Sequence, residues 1–130
     1  MLSSTEESDM GNESSNVAAL KDAYRQWHET KGGSTAHWLA LMTDDVKFHS
    51  LADGAKAMEF TCASSCKDDV TRYFAGLAGD WEMIFYTIDE YIAQGDRVVA
   101  LGRCSFRHRK TGKILETPKA AFHKFSGDKV

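Results

Sequence analysis

The stretch WEMIFYTIDEYIA (81–93), QGD (94–96), RVVALGRCSFRHR (97–109), KTGK (110–113), ILETPKAAFHKF (114–125), SGDK (126–129) decides the fold. It reads as three long strands joined by tight polar turns that carry Gly95, Gly112 and Gly127. Such spacing is the signature of consecutive antiparallel hairpins. Strands of about a dozen residues exceed the usual ~5–6 and must curve. A curved antiparallel sheet backed by helices forms a cup, and a cup is a place for a small molecule.

Alternation is clearest in the middle strand. Val98, Ala100, Gly102, Cys104 and Phe106 fall on one face, and Val99, Leu101, Arg103, Ser105 and Arg107 on the other. The first set is small and apolar, suited to a concave interior. In residues 81–93 the same count puts Met83 and Phe85 on one face and Ile84, Tyr86, Ile88 and Ile92 on the other. A sheet apolar on both faces needs cover on both. Helices cover one, and a second subunit is the economical cover for the other, so a homodimer through the outer sheet face is expected.

Working back toward the N-terminus, Ser64 or Ser65 is placed to cap a helix whose stripe is Val70, Tyr73, Phe74 and Leu77, ended by Gly76, Gly79 and Asp80. Residues 51–63 show no period and read as a loop, a candidate lid. Val46, Phe48 and Ser50 alternate with Lys47 and His49 as a short first strand. A short helix capped by Ser34 or Thr35 holds Trp38, Leu41 and Met42. Before it, Val17, Leu20, Tyr24 and Trp27 recur at helical spacing. That helix is expected from a cap at Ser15 or Asn16 to about Thr30, where Lys31-Gly32-Gly33 ends it. Residues 1–15 hold Glu6, Glu7, Asp9 and Glu13 without a basic residue and read as a disordered acidic tail.

At 130 residues the chain fits one domain, residues 16–130, with a single core. Its 42% hydrophobic and 27% charged content is ordinary for a globular protein. No apolar run approaches the ~18 residues of a membrane span, and the N-terminus lacks the plan of a signal peptide. A cytoplasmic protein without membrane association is expected. Cys62, Cys66 and Cys104 cannot all pair within one chain and read as free thiols. Residues 97–130 are basic, but few aromatics interleave with Arg103, Arg107 and Arg109, and no nucleic-acid-reading motif is present. Those arginines read as a solvated face paired with acids such as Glu82 and Glu90. The histidines form no ligand motif, so neither a metal nor another cofactor is expected.

The order of helix, short helix, strand, helix and three long strands resembles the cone-shaped α+β fold of nuclear transport factor 2, a cystatin-like curved antiparallel sheet packed on three N-terminal helices. Within that superfamily the chain resembles the SnoaL-like polyketide cyclases and the ketosteroid isomerases. The local patterns are Leu41-Met42-Thr43-Asp44-Asp45-Val46-Lys47-Phe48, Phe74-Ala75-Gly76-Leu77, Gln94-Gly95-Asp96-Arg97-Val98-Val99, Thr111-Gly112-Lys113 and Phe122-His123-Lys124-Phe125-Ser126-Gly127-Asp128-Lys129-Val130. Members usually continue into one more strand, which the resemblance places after Val130; truncation or completion by a partner chain would account for its absence. A fold of this kind hosts isomerases, cyclases, hydrolases and non-enzymes, so it does not fix a reaction.

The resemblance implies specific residues. The helix Tyr of the ketosteroid isomerases falls on Tyr24. Their carboxylate base falls on Ser50 and their buried Asp on Ala121, so both carboxylates are absent and that mechanism is disfavoured. Tyr24 and His28, four apart, share a helix face. His123 shares its strand face with Lys119 and Ala121, and an imidazole there can act as a general base near neutral pH. Tyr24 and His123 are therefore the catalytic candidates. His28, Ser50, Phe60, Trp81, Cys104, Phe106, Lys119 and Ala121 are the candidate ligand contacts, with Phe60 and Trp81 at the mouth. The expected function is binding of a small apolar or polycyclic molecule, with acid–base isomerase or cyclase-type chemistry. The alternative is a non-catalytic dimeric module for ligand binding or protein interaction.

Overall fold

The computed structural model describes residues 4–48 and 66–130, with side chains from residue 13 onward. Three helices precede a three-stranded sheet: α1 (Ser4–Glu29), α2 (Thr35–Leu41), α3 (Lys67–Asp80), β1 (Trp81–Gln94), β2 (Arg97–His108) and β3 (Ile114–Lys124). The strands form an antiparallel meander in the order β1-β2-β3. The α+β architecture read from the sequence is present, and the three strands begin and end within one residue of their expected bounds. The expected first strand lies partly outside the described residues, as do the lid loop at 51–63, His49 and Cys62.

α1 forms because Leu20, Ala23, Tyr24 and Trp27 make a buried stripe at helical spacing, while Asp22, Arg25 and Glu29 pair on the exposed side. It ends where Lys31 and Gly32 turn left-handed, with φ of 51° and 83°. The amide of Gly32 then donates to the Trp27 carbonyl at 2.9 Å, a glycine-assisted stop. Two helix starts differ from expectation. α1 begins within the acidic segment rather than at Asn16, which lies inside the helix and is buried. Glu13 sits one turn before it and accepts the Gly95 amide at 2.6 Å, tying this part of α1 to the β1–β2 turn. α3 starts after Cys66, whose extended backbone makes it the capping residue, rather than after Ser64 or Ser65.

The larger correction concerns β1. Its register against β2 shifts twice, between Met83 and Phe85 and between Ile88 and Glu90, leaving Ile84 and Asp89 without partners. Each bulge adds one residue and reverses the inside–outside parity. The inner face therefore carries Met83, Tyr86, Ile88, Tyr91 and Ala93, not the set simple alternation gives. Across the sheet the inner rows are Met83–Phe106, Tyr86–Cys104–Thr117, Ile88–Gly102–Lys119, Tyr91–Ala100–Ala121 and Ala93–Val98–His123. Much of the two-sided apolar character of β1 is thus one inner face seen through two bulges. A residual outer apolar row remains in Ile92–Val99–Phe122.

The core lies between this inner face, α1, and the α2 and α3 side chains Trp38, Val70 and Phe74. Phe125 is buried just beyond β3, where its amide donates to the Asp96 carbonyl at 2.7 Å. Val130 donates its amide to the carbonyl of Leu41 at the end of α2, and its carbonyl accepts the Thr43 amide. Among the described residues no helix is long and apolar enough to cross a membrane.

Among the described glycines, Gly102 leaves the least room for a side chain. A Cβ there would lie 1.9 Å from the Thr87 carbonyl oxygen and 2.7 Å from the Ile88 Cα. Both are backbone atoms beside the second bulge and cannot swing aside. Gly102→Ala is expected to destabilise the fold by about 1–3 kcal/mol or more, read as a lowered urea midpoint. The same change at Gly79, where a Cβ meets nothing within 4 Å, is the control.

Candidate functional site

The bulged register brings a set of aromatic and titratable side chains beneath α1. Tyr24, at the centre of the α1 stripe, points onto the sheet and meets His123 of β3, with 2.7 Å between its hydroxyl oxygen and Nε2. Its ring lies parallel to Tyr86 at 5.7 Å and edge-on to Trp38 at 4.9 Å. Trp38 in turn stacks on the His123 imidazole, with centroids 6.0 Å apart and planes 13° apart. Lys119, two residues before Ala121 on the same face of β3, holds its Nζ 5.1 Å from the Tyr86 ring centroid, a cation–π placement.

Burial governs the electrostatics. It pushes the Tyr24 hydroxyl well above the usual phenol range, with Tyr91 adding to the shift. It pushes His123 down to about 4, helped by the positive charge of Lys119, and Lys119 itself below the usual amine range. Tyr24 and His123 therefore face each other as a neutral pair at neutral pH. The hydroxyl can donate to Nε2, or Nε2–H can donate to the phenolic oxygen, depending on the imidazole tautomer. In the second arrangement the phenolic hydrogen is free for a ligand oxygen.

The candidate residues sort into three groups. Tyr24, His123 and Lys119 come together, with Ala121 packed against the core next to them. His28 does not join them: its Nδ1 accepts the Tyr86 backbone amide at 3.1 Å. That amide follows the first bulge, so His28 pins α1 to β1, and its partner could be found only with the fold in hand. Trp81 and Phe106 lie at the opposite end of the sheet, lining a cavity of about 280 Å³ with Trp27, Phe74 and Met83. The indole nitrogen of Trp81 is buried with no hydrogen-bond partner among the described residues, and the ring meets His108 edge-on at 4.7 Å. Cys104 is buried between the two ends, and burial pushes its thiol pKa up. Ser50 and Phe60 lie outside the described residues.

Sequence reasoning missed Trp38, Tyr86 and Tyr91 as neighbours of the Tyr24–His123 pair. Trp38 was visible as an apolar helix position, but Tyr86 and Tyr91 are hidden by the bulges. A second hollow, open and about 540 Å³, lies beside the Asp89 bulge and is lined by Glu90, Leu101, Arg103, Pro118 and Lys119 among others. The outer arginines pair as expected with Glu82, at 2.9 Å from Arg107 and 4.0 Å from Arg109, whereas Arg103 reaches Glu116 rather than Glu90. Among the described residues no group of three His, Cys, Asp or Glu side chains is placed to hold a metal ion.

The sequence pattern of the SnoaL-like domain matches residues 18–130. No curated protein matches the chain. Several solved structures share its fold. An NTF2-like protein of unknown function from Burkholderia pseudomallei is 18% identical with a TM-score of 0.72, over 88% of this chain and 84% of that one. TerC, co-crystallised with polyporic acid, is 18% identical with a TM-score of 0.68, over 88% and 85%. A protein with a ketosteroid isomerase-like fold from Catenulispora acidiphila, in complex with trimethylamine, is 15% identical with a TM-score of 0.65, over 79% and 75%. Likeness at these identities establishes the fold.

The depressed His123 sets a pH dependence of stability. Between pH 6.5 and about 4 the unfolded chain binds a proton at this imidazole that the folded chain refuses. The corresponding stability is fully present above pH 6.5 and is lost as the pH falls toward 4, by on the order of 2–3 kcal/mol. Urea denaturation at about pH 7.5 and pH 4.5 checks it: His123→Phe should show a smaller loss than the parent.

Proposed function

The chain belongs to the SnoaL-like domain family, and we propose that it binds a small, largely apolar ring compound in its cup and acts on it by acid–base chemistry without an ionised carboxylate. The observation that carries this reading is the 2.7 Å contact between Tyr24 and His123, buried under Trp38 on the inner face of the sheet. A hydroxyl and an imidazole in contact can hold a ligand oxygen and move a proton. With Nε2–H donating to the Tyr24 oxygen, the phenolic O–H polarises a substrate carbonyl. His123 takes the substrate's α-proton at Nδ1 as it gives its Nε2 proton to the Tyr24 oxygen, and Tyr24 passes its own proton to the carbonyl oxygen, so the imidazole stays neutral and changes tautomer. The substrate is enolised or isomerised with no net charge created in the pocket. A fold neighbour co-crystallised with polyporic acid supports a small organic ligand for a cup of this shape.

The test is solvent deuterium exchange alpha to the carbonyl of a bicyclic ketone such as 2-tetralone, followed by proton NMR. The protein should accelerate exchange, and Tyr24→Phe should lower the rate by about 100-fold or more. Binding of the ketone without exchange leaves the non-catalytic cup as the function. Native mass spectrometry of the purified chain reports any ligand that travels with it.

A homodimer through the outer sheet face is the accompanying reading, supported by the Ile92–Val99–Phe122 row, in which Phe122 is 79% exposed and Ile92 51%. Single-residue apolar exposure is ordinary, but a contiguous cross-strand row is not. Light scattering should give twice the chain mass, and Phe122→Lys should return the monomer mass while the circular dichroism spectrum is unchanged.

A further inference from the structure

The inner rows of the sheet contain no Asp or Glu, and Lys119 is the sole cationic position in them among the described residues. Its side chain is half-buried, packed toward Tyr86 rather than toward solvent. Asp89 and Glu90 lie at the same level of β1, but both are exposed, and among the described residues no carboxylate lies within ion-pair distance of Lys119. An ammonium withdrawn from water without a counter-ion costs free energy. The face of one tyrosine returns about 0.5–2 kcal/mol of it. Lysines at the surface of this protein do not face that cost, and nothing in the packing requires a charge at this position, which Met or Gln would fill.

The geometry points to a ligand with an anionic oxygen. We infer that Lys119 is the counter-ion of a carboxylate or ionised enol carried by a ring compound bound near the Tyr24–His123 pair. This assignment rests on the cup-binding reading above and specifies its ligand class. The electrostatics agree with it: the charge of Lys119 is the second cause holding His123 low, after burial. An anion at Lys119 removes that cause, so ligand binding strengthens the imidazole as a base at the moment a substrate is present.

The experiment compares two probes of nearly equal shape, 2-naphthoate and the neutral 2-naphthamide, titrated calorimetrically into the full chain at about pH 7. Naphthoate should bind about tenfold tighter or more, equivalent to about 1.4 kcal/mol. Lys119→Arg should keep the preference. Lys119→Met and Lys119→Gln should bring the two affinities within about twofold of each other, because each removes the charge without emptying the site. Equal affinities for the parent protein, or a preference that survives in both neutral variants, overturns the assignment and leaves the apolar cup standing. Failure of both probes to bind the parent overturns the assignment and the cup-binding reading together. Lys119→Gln keeps the test decisive should Lys119→Met fold poorly.

Discussion

The two bulges of β1 are the constraint on which the rest of the structure depends. If Ile84 and Asp89 were paired in regular alternation instead of bulged, Met83 and Tyr86 would fall on opposite faces, and likewise Ile88 and Tyr91. With the bulges, Met83, Tyr86, Ile88 and Tyr91 share the inner face, and α1 finds a continuous aromatic surface to pack on. Gly102 is what makes the second bulge possible, since any Cβ would strike the Thr87 carbonyl. His28 exploits the first bulge by taking the Tyr86 amide as its donor. Two backbone irregularities and one missing side chain thus position Tyr24 above the sheet.

This explains which parts of the fold were legible in the sequence. β2 reads correctly because it pairs on both sides and its alternation is unbroken from Val98 to Phe106. Strand ends were visible because Gly95, Gly112 and Gly127 sit in the turns at positive φ, which glycine takes up without strain. β1 reads wrongly because a bulge leaves no mark in composition; it only makes both faces look apolar. The start of α1 was missed because Ser, Asn and Glu favour caps and tails as much as helices. Tertiary contacts, such as Glu13 with Gly95, decide between them.

The candidate site was legible in part, and for two separable reasons. His123 and Lys119 share a face with Ala121 by simple parity in β3, which has no bulge in its pairing with β2. Tyr24 was indicated by the resemblance to the ketosteroid isomerases and by the helix stripe. Neither source could show that Tyr24 and His123, 99 residues apart, touch. His28 shares the helix face but is taken up by the backbone of β1. Trp81 and Phe106 share an inner face with His123 but are separated from it by most of the strand length.

The same desolvation that makes the site dry decides what chemistry it can do. An ionised carboxylate in this position would need its charge stabilised, and Ala121, where the resemblance to the ketosteroid isomerases implies a buried Asp, carries none. Holding Tyr24 protonated and His123 unprotonated removes that need, because neither group carries charge at neutral pH. The cost is base strength: an imidazole pushed down to about 4 abstracts a proton poorly unless the product oxygen is stabilised at the same time. In the proposed reaction Tyr24 would supply that stabilisation from the other side of the same hydrogen bond, and a hydrogen bond shielded from water is stronger than one exposed to it. In the proposed reaction the pair is therefore a unit: Tyr24→Phe would remove the oxyanion donor and the proton source for the substrate oxygen together, and the loss could not be divided between them.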